Sequence, residues 1–255
     1  MNQLLAGKKG LVVGVANDAS IAWGCAKAFR DQGAELAITY LNDKAKTYVQ
    51  PLAERLKAPI FLPLDVTQVH QQIVLFETIA KTWGRLDFLL HSIAFAPKAD
   101  LQGRVTDSSR EGFMTAMDIS CHSLIRLVKS AETLMKDGGA VLTMSYYGAN
   151  KVVTNYNLMG PVKAALEASV RYLAAELGGS QIRVNALSPG PVKTRAASGL
   201  ADFDELMQKA AEEAPLRQVV TIEQIGEMAA FLVSDRARQV TGQVLYVDAG
   251  YNITG

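Results

Sequence analysis

The 255 residues contain only two cysteines, Cys25 and Cys121, and three histidines. Two thiols without paired spacing exclude a disulfide framework, and His70, His91 and His122 share no ligand spacing, so no metal site is expected. Charge of one sign is lacking too, because 26 basic and 25 acidic side chains leave a formal net charge of +1. A polyanion-binding surface needs an excess of cations, so nucleic acid is not an expected partner. The apolar run Leu11 to Ala16, behind Lys8 and Lys9, is too short and glycine-broken for a signal core, and no apolar run reaches the length of a membrane span. No membrane association is expected, and the expected location is the cytoplasm. Linkers and low-complexity stretches are also missing, which makes 1–255 one expected domain.

What is present is a globular composition, 49% apolar and 20% charged, arranged as short β-branched runs alternating with longer helical periodicities. Expected strands are Gly10 to Val15, Glu35 to Tyr40, Ile60 to Leu64, Leu86 to His91, Ala140 to Met144, Ile182 to Leu187 and Gln243 to Val247. Helical patterns lie near Ile21 to Gln32, Lys44 to Leu56, Val69 to Trp83, Glu111 to Met135, Val162 to Leu177 and Ile222 to Ser234. Ser20, Thr67 and Thr221 stand where helix caps belong, the last with Gln224 as a capping box. Strand-helix alternation of this kind predicts an α/β doubly wound Rossmann fold, a seven-stranded parallel sheet with helices on both faces.

Ligands of such sheets bind beyond the carboxyl ends of the strands, so the residues just past each strand are the candidates. After the first strand, Gly14 allows a tight turn, and Ser20 and Ile21 open a helix toward a diphosphate. The second strand ends at Leu41-Asn42-Asp43 without the acid that holds an adenosine ribose, which leaves NADH and NADPH both open at this point. Asp65 and Val66 suit an adenine ring, or equally a simple helix start. Ser92-Ile93-Ala94-Phe95-Ala96-Pro97 has small residues that let a ligand approach the backbone, whereas His91 reads as a packed strand end. Ser145 to Lys163 carries a phenol and an amine, Tyr156 and Lys163, seven residues apart and therefore on one face of any continuous helix. Pro161 fits the first turn of a helix better than its interior, which points to a helix start near Met159. From Ser188 to Thr221 runs a long connection in which Phe203, Leu206, Met207, Ala210 and Ala211 recur at helical spacing, and long connections at this edge often act as lids. The expected lid spans 192–216.

Taken together, Gly14-x5-Ser20, Asp65-Val66, the Ser92 to Pro97 run, Tyr146, Tyr156-x6-Lys163 and Gly190-Pro191-Val192-Lys193-Thr194 resemble the short-chain dehydrogenase/reductase superfamily. Its widespread members use Tyr-x3-Lys, a place held here by Met159. The longer spacing, the second tyrosine at 146 and the Arg195-Ala196-Ala197-Ser198-Gly199 continuation resemble the bacterial enoyl-acyl-carrier-protein reductases. The resemblance implies NADH-dependent reduction of trans-2-enoyl thioesters in fatty acid biosynthesis, with NADPH not excluded, by a homotetramer served by acyl carrier protein. It implies Tyr156, Lys163 and Tyr146 as catalytic residues. Cofactor contacts would come from Gly14, Ser20, Ile21, Leu41, Asp65, Val66, Ser92, Ile93, Ala94, Lys163, Val192 and Thr194. Substrate contacts would come from Ala96, Tyr146, Tyr156, Met159, Ala196, Phe203 and Met207. Two departures stand out. Ala201, Asp204 and Glu205 replace basic lid residues that would meet an acidic carrier, with Lys193 and Arg195 nearby, and Ala94 stands where the family often has glycine. Other readings are a paralogue acting on an enoyl-coenzyme A or a carbonyl substrate, and a non-catalytic NAD(P)-sensing Rossmann protein.

Overall fold

Alternate residues of each central strand feed two different cores. Val12, Phe88, Leu90, Ala140 and Leu142 point to one face of the sheet, while Leu11, Val13, Leu89 and Val141 point to the other. A strand covered on both sides must be apolar throughout, which is why these segments read as unbroken runs. In the computed structural model, which describes residues 3–194 and 203–254, they form a sheet with strand order β3-β2-β1-β4-β5-β6-β7. Every neighbouring pair is parallel. The strands are β1 (Lys9–Val13), β2 (Glu35–Tyr40), β3 (Ile60–Pro63), β4 (Phe88–His91), β5 (Gly139–Met144), β6 (Ile182–Pro189) and β7 (Val244–Val247).

The first face is covered by α1 (Ile21–Asp31), α2 (Asp43–Arg55) and α9 (Ile222–Val233). Two glycines let α1 and α9 touch: a Cβ on Gly24 would stand 2.2 Å from Ile222 O, and one on Gly226 would stand 2.4 Å from Gly24 O. The capping box at Thr221 and Gln224 forms as expected, satisfying two backbone donors at the start of α9. The second face carries α3 (Val69–Trp83), α6 (Ser123–Ala131) and α7 (Met159–Leu177). Beyond the strand ends lie the short α4 (Lys98–Leu101), α5 (Arg110–Met117) and α8 (Phe203–Glu213).

Two expected caps are corrected. Thr67 does not cap α3; the cap position is Gln68, and both the backbone N–H and the hydroxyl of Thr67 donate to Asp65 Oδ1. Ser20 occupies the cap position of α1, yet its hydroxyl donates to Asn17 O at 2.7 Å and accepts from Ala16 N–H, so it closes the preceding loop instead. The pattern from Glu111 to Met135 is not one helix. It is α5, a π-helical segment (Asp118–His122), α6 and a final 3-10 turn. Apolar periodicity marks a helical stretch without fixing the width of each turn, so a short π-helical segment within it reads as part of one helix. Among the described residues no helix is long and apolar enough to cross a membrane.

Candidate active site

Strand order reverses between β1 and β4, and there the two following backbones meet. Gly14 has φ +111°, and a Cβ on it would lie 2.0 Å from Ser92 O, so no side chain fits. Next to this junction an apolar cavity of about 190 Å³ is lined by Ile21, Ala94 to Ala96, Leu101, Ser145, Tyr146, Tyr156, Met159, Pro189 to Val192 and Thr194. The candidates on β1, β4, β5 and β6 thus converge, as the fold requires. A larger cleft of about 580 Å³ lies at the other end of the strands. Its charges are largely spent on Lys8–Asp235 and Arg85–Asp87 pairs and on Arg183 bonds to backbone carbonyls. None of the candidate residues lines it.

Helix α7 begins at Met159, with Leu158 in the cap position, so Tyr156 hangs in the turn ahead of it, as Pro161 indicated. The same-face geometry of a continuous helix therefore does not hold for Tyr156 and Lys163. Tyr156 is flanked by Asn155 and Asn157 at φ +64° and +41°, a left-handed backbone that asparagine tolerates better than most residues. This irregular turn faces the Tyr156 ring toward Tyr146, with centroids 4.8 Å apart and planes at 63°. Gly148 admits the ring: a Cβ there would come within 2.6 Å of it. Burial, and then the charge of Glu167, push the Tyr156 phenol well above the ordinary range. Burial does the same for Tyr146. Both are neutral donors at working pH. Among the described residues the Tyr146 hydroxyl is buried without a hydrogen-bond partner.

Lys163 is 4% exposed, and its Nζ donates to Met144 O at 2.6 Å, at the carboxyl end of β5. It does not line the cavity itself. Burial pulls the ammonium down to about 8.

The loop after β4 is held by residues the sequence did not single out. Ser120, in the π-helical segment, accepts from Phe95 N–H at 2.8 Å and donates to Phe95 O at 2.9 Å. Ser123 donates to Ile119 O, which leaves its oxygen to accept from His91 Nε2–H, while His91 Nδ1 accepts from the Thr143 hydroxyl. His91 is fully buried and held near 3, by burial and by Lys163, so it is neutral and structural as expected. Glu167 accepts from Ser145 and Asn150. Such clamps join residues distant in sequence, and no local spacing reveals them.

The remaining candidates divide. Ile21, Ala94, Ala96, Met159, Val192 and Thr194 border the cavity with the two tyrosines. Asp65 bonds Thr67 through one oxygen, and Val66 is buried, its carbonyl accepting from Arg126. Ile93 packs against the second core. Leu41 is 54% exposed beside the second strand. In α8, Leu206, Ala210 and the following Ala214 pack into one cluster with Tyr146, Tyr156 and Met159, whereas Met207 is half-buried and does not border the cavity. Ala196, Arg195 and the Phe203 side chain lie outside the described residues. Lys193 is already paired with Asp204 at 3.2 Å. Among the described residues no cluster of metal-ligating side chains occurs.

A seven-stranded parallel sheet with strand order 3-2-1-4-5-6-7, its switch point lined by tyrosines beside a buried lysine, defines a short-chain dehydrogenase/reductase. A family described as Enoyl-(Acyl carrier protein) reductase matches residues 14–252. The chain belongs to that family. It is 49% identical to an enoyl-acyl-carrier-protein reductase (NADH) FabI of Rickettsia typhi, over 99% of this chain and 97% of the relative. Among solved structures, an Anaplasma phagocytophilum enoyl-acyl-carrier-protein reductase in complex with NAD is 49% identical with a TM-score of 0.96, covering 100% of this chain and 97% of that one. A Bacillus cereus enoyl-acyl carrier protein reductase with NADP+ and indole naphthyridinone is 45% identical with a TM-score of 0.97, covering 99% of each.

Proposed function

We propose that the chain transfers hydride from NADH to the β-carbon of a trans-2-enoyl thioester carried on acyl carrier protein. The observation that carries this reading is the pair of neutral tyrosine hydroxyls, Tyr146 and Tyr156, on an apolar cavity at the switch point. NADH would lie along the strand ends from Asp65 and Val66, past Gly14, Ser20, Ile21 and Leu41, to Ser92, Ile93, Ala94, Val192 and Thr194. It supplies the hydride. Negative charge then builds on the thioester oxygen, and a positioned neutral donor stabilises it without recharging. Tyr156 would supply that donor with Tyr146 beside it, and Lys163 would hold the nicotinamide ribose hydroxyls. Ala96 and Met159, which border the cavity, would meet the acyl chain.

The test is NADH and NADPH oxidation with a short enoyl thioester on acyl carrier protein, on coenzyme A, and with a ketone in its place. Turnover of the carrier-bound enoyl substrate with NADH is the expected result. Turnover of the ketone alone, or cofactor binding with no turnover, would sink the reading. The same reading places the chain in the cytoplasm and makes it a homotetramer. The outer face of α7, where Ala164 and Ala168 are half-buried and Tyr172 is 73% exposed, suits close approach of a second copy.

A further inference from the structure

One buried carboxylate at this centre has no part in the chemistry above. Glu167 sits on α7, one turn beyond Lys163, and is 4% exposed. Ser145 Oγ donates to one of its oxygens at 2.6 Å and Asn150 Nδ2 to the other at 3.0 Å. These donors stand on either side of the turn from Tyr146 to Ala149. Asn150 also donates to the Tyr246 hydroxyl on β7 at 3.2 Å, which ties the clamp to the last strand. Hydrogen bonds satisfy the oxygens, but they do not balance a buried charge, which needs a counter-charge nearby. Lys163, four residues earlier on the same helix, is the buried cation beside it.

We propose that Glu167 is the positioning residue of this centre, clamping the Ser145–Asn150 turn to α7 and supplying the negative charge that balances Lys163. The proposal rests on the role given above to Lys163. The groups facing Lys163 agree with it. From β4 comes His91, neutral at working pH; from the π-helical segment, the Cys121 thiol; and from β5, the Met144 carbonyl. Against the downward pull of burial on the ammonium stand Cys121 and Glu167. Side chains four apart on a helix stand about 6 Å apart at Cβ, and unit charges at that separation and an effective dielectric of about 20 couple by about two pH units. Loss of the carboxylate charge therefore displaces Lys163 toward acid by about one to two pH units.

The experiment titrates NADH binding to the whole chain by NADH fluorescence from about pH 5 to about pH 9, beside enoyl turnover at each pH. In the wild type, affinity falls as pH rises through about 8, where the ammonium is lost. Glu167→Gln keeps the shape and moves that limb toward acid by about one to two units. Ser145→Ala leaves the charge and the limb in place while lowering kcat/KM for the enoyl substrate. A Glu167→Gln limb that coincides with the wild type, in a protein that melts cooperatively, overturns the proposal. Should Glu167→Gln not melt cooperatively, Glu167→Gln with Lys163→Met removes both charges and restores a cooperative melt; failure of that double variant overturns the proposal as well. A wild type that shows the limb but never reduces the enoyl thioester sinks the proposed reaction alone.

Discussion

Replacing Tyr156 by phenylalanine takes away one oxygen and leaves the ring. The ring is held by Tyr146 at 4.8 Å and by the space Gly148 leaves open, and phenylalanine keeps both. The packing of the ring is unchanged, and stability changes by less than about 1 kcal/mol. The catalytic loss is larger. A single preorganised donor to a developing oxyanion is worth about 3 kcal/mol, so kcat/KM for an enoyl thioester falls by about 10² to 10³. NADH affinity stays within about twofold, since the phenol binds the substrate oxygen and not the cofactor diphosphate. The assay is steady-state NADH oxidation with NADH binding and thermal melts run in parallel. Tyr146→Phe is the internal comparison. Among the described residues the Tyr146 hydroxyl is buried without a hydrogen-bond partner, an unfavourable state in the free protein, so its removal holds or raises the melting temperature. Its effect on kcat/KM is smaller than that of Tyr156→Phe. Activity of Tyr156→Phe within about threefold of the wild type, or a deeper loss in Tyr146→Phe, would refute the assignment of the donor.

Gly14→Ala places a Cβ 2.0 Å from Ser92 O on a backbone at φ +111°; it is expected to cost more than about 2 kcal/mol in urea melts and to weaken NADH binding, and a wild-type melt would show that the switch point yields easily. Ser120→Ala removes both hydrogen bonds to Phe95. About 1–3 kcal/mol of stability is lost, and KM for the enoyl substrate rises more than kcat falls, because the freed loop borders the cavity; unchanged KM would place the Ser120 clamp outside substrate recognition.

The seven strands and the covering helices were legible because each depends on local signals. Apolar runs mark strands buried on both faces, and helical periodicity marks α1, α2, α3, α7 and α9. Glu35–Tyr40 and Val69–Trp83 match the expected bounds to the residue. Pro161 also marked the start of α7, because a missing N–H is a property of one residue. The convergence of Tyr146, Tyr156 and the small residues after β4 followed from the strand-end rule. What stayed hidden depends on groups far apart in sequence. Glu167 finds Ser145 and Asn150, Ser120 finds Phe95, and His91 finds Ser123 and Thr143 only after the sheet has formed. Thr67 has the residue type and place of a cap, but the competing Asp65 oxygen, two residues away, takes its donors instead.

The π-helical segment Asp118–His122 amounts to a phase shift written into an otherwise regular rod. An α-helix advances about 100° per residue, so a surplus residue rotates everything after it by that amount relative to what comes before. That rotation lets one rod answer two demands, with Ser120 turned to the Phe95 backbone and Ser123 to His91. Deleting one residue between 118 and 122 would restore a plain helix and swing one of these two serines away from its partner. The chain would lose the loop's anchor through a frame error in shape, with almost no change in composition.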